Sequence, residues 1–148
     1  MYTKFTKRVE EVVKLANAIA REYELDYVGT EHILLAISRE GGGLGAKILV
    51  ERGLTEAKLK AEVDRITQKS MEDTWVFGRL PGTPHFRNVV AVALDEAERL
   101  QAGLLRTEHL LLALLKEEGS VAYNALHSLG CDYKTIAAAV EAAGPQTD

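Results

Sequence analysis

Apolar residues recur along the chain at helical spacing. Residues 6–22 carry them at Val9, Val12, Val13, Leu15, Ala16, Ile19 and Ala20, which predicts an amphipathic helix. Residues 30–39 are apolar almost all round and predict a short, deeply buried helix, which Gly41, Gly42 and Gly43 break. A third helix is expected from about Leu44 to Arg52, with Gly53 just past its end. A fourth begins near Thr55 and sets Leu59, Val63 and Ile66 on one face. The second half of the chain predicts helices at 84–101, 107–117, 120–129 and 133–143. Pro84 suits the first turn of its helix, with Thr83 as N-cap. No alternating run is long enough for a strand.

The two halves are copies. Residues 6–54 slide onto 83–131 without a gap, and 15 of the 49 positions are identical. The identities include Thr, Glu, His and Gly as well as core residues, which two unrelated amphipathic helices would not keep in step. The expected fold class is all-α, with eight helices in two pseudo-symmetric four-helix repeats. Repeat one spans 3–69, a linker 70–82, repeat two 83–143, and 144–148 form a frayed tail. A half of about 65 residues is marginal alone. The apolar second helices are therefore expected to pack centrally and make residues 1–148 one domain. Trp75, Phe77 and Leu80 in the linker either lie in a groove between the halves or offer an aromatic contact to a partner.

Charge and composition narrow the function. With 18 basic and 22 acidic residues the net charge is −4, against general binding to nucleic acid or an anionic membrane. No apolar stretch approaches a membrane span, and the N-terminus lacks the apolar core of a signal peptide. Cys131 is the single cysteine, so no internal disulfide forms. These features lead us to expect a cytoplasmic protein. EGGGLGAK at 40–47 lacks the spacing of a phosphate loop. His32, His85, His109 and His127 lack metal spacing, and no nucleophile motif is present. Cys131 has His127 one turn back but takes the core position of Leu54 in the other repeat, so a buried structural thiol is expected. No catalytic residue, metal or cofactor is expected.

One triplet stands out. Thr30-Glu31-His32 recurs as Thr107-Glu108-His109, each time ahead of the buried second helix. Thr30 and Thr107 are placed as N-caps, and Glu31 and Glu108 complement the helix dipole. Capping does not explain Glu over Asp, nor the histidine, for which a structural bond to a neighbouring loop or helix end is expected.

The sequence resembles the double Clp-N repeat at the N-terminus of Clp/Hsp100 AAA+ unfoldases, most closely the ClpC branch. The resemblance rests on F-T-x-R at Phe5–Arg8, G-T-E-H-I-L-L at Gly29–Leu35, a looser R-E-G-x-G-x-x-A-K at Arg39–Lys47, L-P-x-T-P at Leu80–Pro84, D-E-A at Asp95–Ala97, T-E-H-L-L-L at Thr107–Leu112 and S-L-G at Ser128–Gly130. It implies an eight-helix, non-enzymatic domain ahead of the ATPase rings. Such a domain binds protein substrates and adaptor proteins and passes substrates on for degradation by the Clp peptidase. The chain is then either such an N-domain or a stand-alone protein that docks on and regulates a Clp machine. The ClpC resemblance also implies recognition of phosphorylated arginine, one pocket per repeat. The guanidinium-binding glutamates match Glu31 and Glu108, with Thr6 and Thr83 adding hydroxyls and Arg8 and Arg106 as further contacts. Three departures stand in the second copy, one of them Lys116-Glu117-Glu118-Gly119-Ser120-Val121 in place of R-E-G-E-G-V. Arg106 replaces the glycine before Thr-Glu-His, where it either pairs with Glu108 or adds a phosphate contact. Thr83-Pro84-His85-Phe86 replaces T-P-R-A, so a basic residue beside the second cap is lost or weakened. The first site, with Lys7, Arg8 and Gly29, is expected to stay closer to the family's pattern.

Overall fold

A computed structural model describes the backbone of residues 5–25, 27–74 and 83–146, and the side chains of the same residues apart from 68–74 and Thr83. Among the described residues eight helices follow in chain order: α1 Lys7–Glu22, α2 Thr30–Glu40, α3 Leu44–Glu51, α4 Glu56–Thr74, α5 Thr83–Arg99, α6 Thr107–Leu114, α7 Val121–Ser128 and α8 Tyr133–Ala143. Among the described residues the only β-type pairing is an isolated parallel bridge between Phe5 and Leu105.

The second helices form the centre, as their all-round apolarity predicts. Every residue from Thr30 to Ile37 and from Thr107 to Leu115 is buried. Around this pair, α1 supplies Val9, Val12, Ala16 and Ile19, and α5 supplies Val89 and Ala93 to the same core. The aliphatic core is continuous across both repeats, so neither half owns a core of its own. Cys131 is buried within it, as expected from its equivalence to Leu54.

Charged side chains lash the outer helices to the ends of the central ones. Arg39, near the end of α2, donates to Glu22 of α1 at 2.9 Å and to Glu56 of α4 at 2.8 Å. Its repeat-two equivalent, Lys116, bonds Glu96 of α5 at 2.9 Å and lies over the Tyr133 ring of α8. Glu96 also accepts from Arg99 at 3.0 Å and from the Tyr133 hydroxyl at 2.8 Å. Burial pushes its carboxyl up, but these donors outweigh that and hold it below the ordinary carboxylate range.

Several boundaries differ from the sequence expectation. The helix expected over 107–117 ends at Leu114. Lys116 is drawn to Glu96, and Glu117 turns toward His85 and Asn88. The chain then bends so that Ser120 can cap α7 by accepting from the Tyr123 N–H. Helix α5 ends at Arg99, not 101, and Gln101 turns the chain at φ 55. Helix α4 runs on to Thr74, five residues into the segment expected as linker; Trp75, Phe77 and Leu80 lie outside the described residues. In the tail expected to fray, Gln146 folds back, donating from Nε2 to the carbonyls of Ala143 and Gly144.

Candidate functional site: two buried helix starts

The Thr-Glu-His triplets occupy the first turn of α2 and α6, but not in the register capping suggested. The N-cap residues are Gly29 and Arg106, so Thr30 and Thr107 are the first helical residues. The expectation that these threonines cap their own helices is therefore corrected. Each serves the other repeat instead. The Thr107 hydroxyl accepts from the N–H of Gly45, near the start of α3, at 3.1 Å. The Thr30 hydroxyl accepts from the N–H of Ala122, near the start of α7, at 3.3 Å. Gly45 and Ala122 are 77 positions apart, as the threonines are, so the two bonds are related by the pseudo-two-fold. Each satisfies an N–H that its own helix leaves unpaired. Gly43 makes the first of these approaches possible, since a Cβ there would stand 2.3 Å from the Thr107 hydroxyl oxygen.

The histidines close the helix starts. His32 Nδ1 accepts from the Gly29 N–H at 2.9 Å, and His109 Nδ1 accepts from the Arg106 N–H at 2.8 Å. An imidazole thus fills the place a Glu or Gln takes in a capping box. Burial pushes His32 down to about 4, so the ring is neutral at pH 7 and free to accept at Nδ1. The expectation of a structural histidine at a helix end holds.

That leaves the glutamates, 6% and 4% exposed at Glu31 and Glu108. Burial pushes the Glu31 carboxyl up, opposed by a hydrogen bond from its own backbone N–H and by nearby His85. Glu108 lines a cavity of about 310 Å³ with Arg106, His109 and Gln146, between the end of α5, the start of α6 and the end of α8.

The surrounding cap residues come from the opposite repeat. Thr6 caps α1, its hydroxyl accepting from the Val9 N–H at 3.2 Å. Its own N–H donates to the Leu105 carbonyl at 3.2 Å, one residue before Arg106. Arg8 lies along Gly42 and Gly43, close to Thr107, and bonds Glu40 at 2.7 Å. On the other side His85 takes the place of Arg8, bonding Glu117 at 2.6 Å as Arg8 bonds Glu40. The structure thus brings Thr6 to Leu105 and Arg8 to the neighbourhood of Thr107, sets Arg106 and Glu108 in one cavity, and places Glu31 against Gly29 and near His85. The Phe5–Leu105 bridge carries the start of α1 to the start of α6, so Arg8, expected beside Gly29 and Glu31, lies near Thr107. Helix α5 opens at Thr83, one residue earlier than expected, and the Thr83 side chain lies outside the described residues. Arg106 donates from Nη1 to the Ala102 carbonyl at 3.4 Å, a long bond that holds it at the cavity wall.

The crossed threonine bonds and Gln146 escaped the sequence reading. The constant offset of 77 could have pointed to the first, since small residues stand at both Gly45 and Ala122. Nothing in the sequence indicated the second. Among the described residues no group of three or more His, Cys, Asp and Glu could hold a metal ion, and no helix is long and apolar enough to cross a membrane.

The Clp repeat (R) N-terminal domain family matches twice, over residues 4–79 and 82–147. The chain is 37% identical over 136 residues to the chloroplastic chaperone protein ClpC2 of Oryza sativa subsp. japonica, covering 92% of this chain and 15% of that protein. It is 36% identical over 130 residues to the negative regulator of genetic competence ClpC/MecB of Bacillus subtilis, covering 88% of this chain and 16% of that protein. It thus spans about one-sixth or less of the length of these relatives. Among solved structures, the N-terminal domain of ClpD from Arabidopsis thaliana has a TM-score of 0.74 at 19% identity, covering 96% of this chain and 95% of that one. The N-terminal domain of Hsp104 from Candida albicans has a TM-score of 0.67 at 16% identity, covering 97% and 93%. The two matched repeats, the ClpC relatives and the shared eight-helix fold show that this chain belongs to the Clp repeat N-terminal domain family.

Proposed function

We propose that this domain is a docking module of a Clp-type unfoldase, receiving protein substrates and adaptors, and that its two buried helix starts recognise phosphorylated arginine. It is not itself an enzyme in this account; the ATPase ring and peptidase it serves carry the chemistry. The observation that carries the proposal is the crosswise assembly at Glu108. There the buried Glu108 lines a cavity, and Thr6, which caps α1, donates its N–H to Leu105, three residues before Glu108.

The chemistry is matched to a zwitterionic ligand. A carboxylate accepts two parallel hydrogen bonds from a planar guanidinium. A helix start offers N–H groups and the positive end of the dipole to a phosphate. A cap from one repeat beside a glutamate from the other puts both functions within one ligand's reach. Arg106 adds a cation on the Glu108 side, and His85 stands on the Glu31 side.

Calorimetry with phosphoarginine on the wild-type protein, Glu31→Ala and Glu108→Ala tests this. Losing the charged partner of a guanidinium is expected to weaken the affected site by about 10- to 100-fold. A wild-type protein that gives no heat, and whose binding to arginine-phosphorylated protein is not competed by phosphoarginine, rules the proposal out.

A further inference from the structure

We infer that the residue before each Thr-Glu-His triplet is a conformational selector: glycine at 29 lets the Glu31 carboxylate fold back onto its own helix start, whereas the Cβ of Arg106 bars that conformation and keeps Glu108 turned into its cavity. The two glutamates of one fold are thereby set differently, one folded onto its own helix start and one directed to the cavity that it lines.

Three observations support this. First, a Cβ built on Gly29 would stand 2.5 Å from Oε1 of Glu31, 3.0 Å from its carboxyl carbon and 3.2 Å from Oε2. The carboxylate therefore occupies the space a side chain at 29 would need. Its hydrogen bond from its own backbone N–H belongs to that folded-back state. Second, the backbones at the two positions are the same. Gly29 has φ −106 and ψ 176, Arg106 has φ −119 and ψ 174, and both donate their N–H to the following histidine at 2.9 and 2.8 Å. The Cβ of Arg106 hence sits where a Cβ on Gly29 would, and an oxygen at 2.5 Å is closer than packing allows. Third, Glu108 lines the cavity with Arg106. Both backbones are extended, so glycine is not needed at 29 for its dihedral angles. What it supplies is the missing Cβ.

The conformational claim stands alone; its effect on phosphoarginine affinity rests on the proposed function. Comparing Arg106→Ala with Arg106→Gly isolates the Cβ, since both lose the guanidinium and only glycine lets Glu108 fold back. Crystal structures without ligand are expected to show Glu108 in its cavity in the alanine variant and folded over residue 106 in the glycine variant. Gly29→Ala is expected to turn Glu31 outward. Phosphoarginine is expected to bind the second site of Arg106→Ala more tightly than that of Arg106→Gly, by roughly two- to tenfold, the span of a side-chain conformational preference. Glu108 in the same place in both variants overturns the inference, whatever the fate of Gly29→Ala. If the carboxylates move as stated and no variant binds phosphoarginine, the selector stands and the proposed ligand falls.

Discussion

His32 is neutral because it is buried, and that gives the protein a pH signature. Its pKa is pushed from 6.5 down to about 4. Between those values the unfolded chain takes up a proton that the folded chain refuses, so this residue's contribution to stability falls as pH drops through that window. Glu31 acts in the opposite sense. Its carboxyl is raised above 4.5, so the folded chain holds that proton longer, and its contribution falls as pH rises through the raised value. His32→Asn keeps an acceptor for the Gly29 N–H and removes the titration. Urea unfolding at a series of pH values is expected to show a shallower loss between pH 6.5 and 4 in the variant, the two curves diverging by on the order of 2–3 kcal/mol. Parallel curves would mean that His32 is not held neutral. At this scale the triplet and the structural role of its histidine were legible in the sequence, but the role of its threonine was not. A threonine ahead of an apolar helix suggests a self-cap, because sequence shows only the neighbours along the chain. The true acceptor role depends on a helix start 62 residues away for Thr107 and 92 away for Thr30.

At the scale of elements, the crossed threonine bonds join α6 to α3 and α2 to α7, each across the repeat boundary. Thr30→Val and Thr107→Val keep the shape and remove the acceptor, stranding the buried N–H of Ala122 or Gly45. Each is expected to cost about 1–3 kcal/mol in chemical denaturation, with α3 or α7 amides exchanging faster. Unchanged stability in both variants would mean that these bonds are not needed to seat those helices. The outer helices were legible from periodicity because they bury one face in a common core, and α2 and α6 were legible from their all-round apolarity. The ends were less so. Helix α6 stops at Leu114 because Lys116 and Glu117 are pulled to α5, a tertiary effect that no local pattern encodes. The extension of α4 to Thr74 likewise lacks a sequence marker.

At the scale of the whole molecule, the internal repeat told the fold class and the central pair, but not that the start of α1 meets the start of α6. That depends on the bridge from Phe5 to Leu105, which carries the start of α1 to the start of α6. Identity between copies is silent on such crossings, because a site within each repeat and a site shared between them leave the same pattern in the sequence. The central claim is that ligand sites are assembled from both repeats. The most direct test is a residue-assigned amide NMR titration of the intact protein with phosphoarginine. Shifts are expected in two patches, Thr6 moving together with Arg106–His109, and Gly29–His32 moving together with the start of α5 around His85. Shifts confined to one repeat's own elements, or centred on the Gly41–Gly43 surface away from both helix starts, would contradict it.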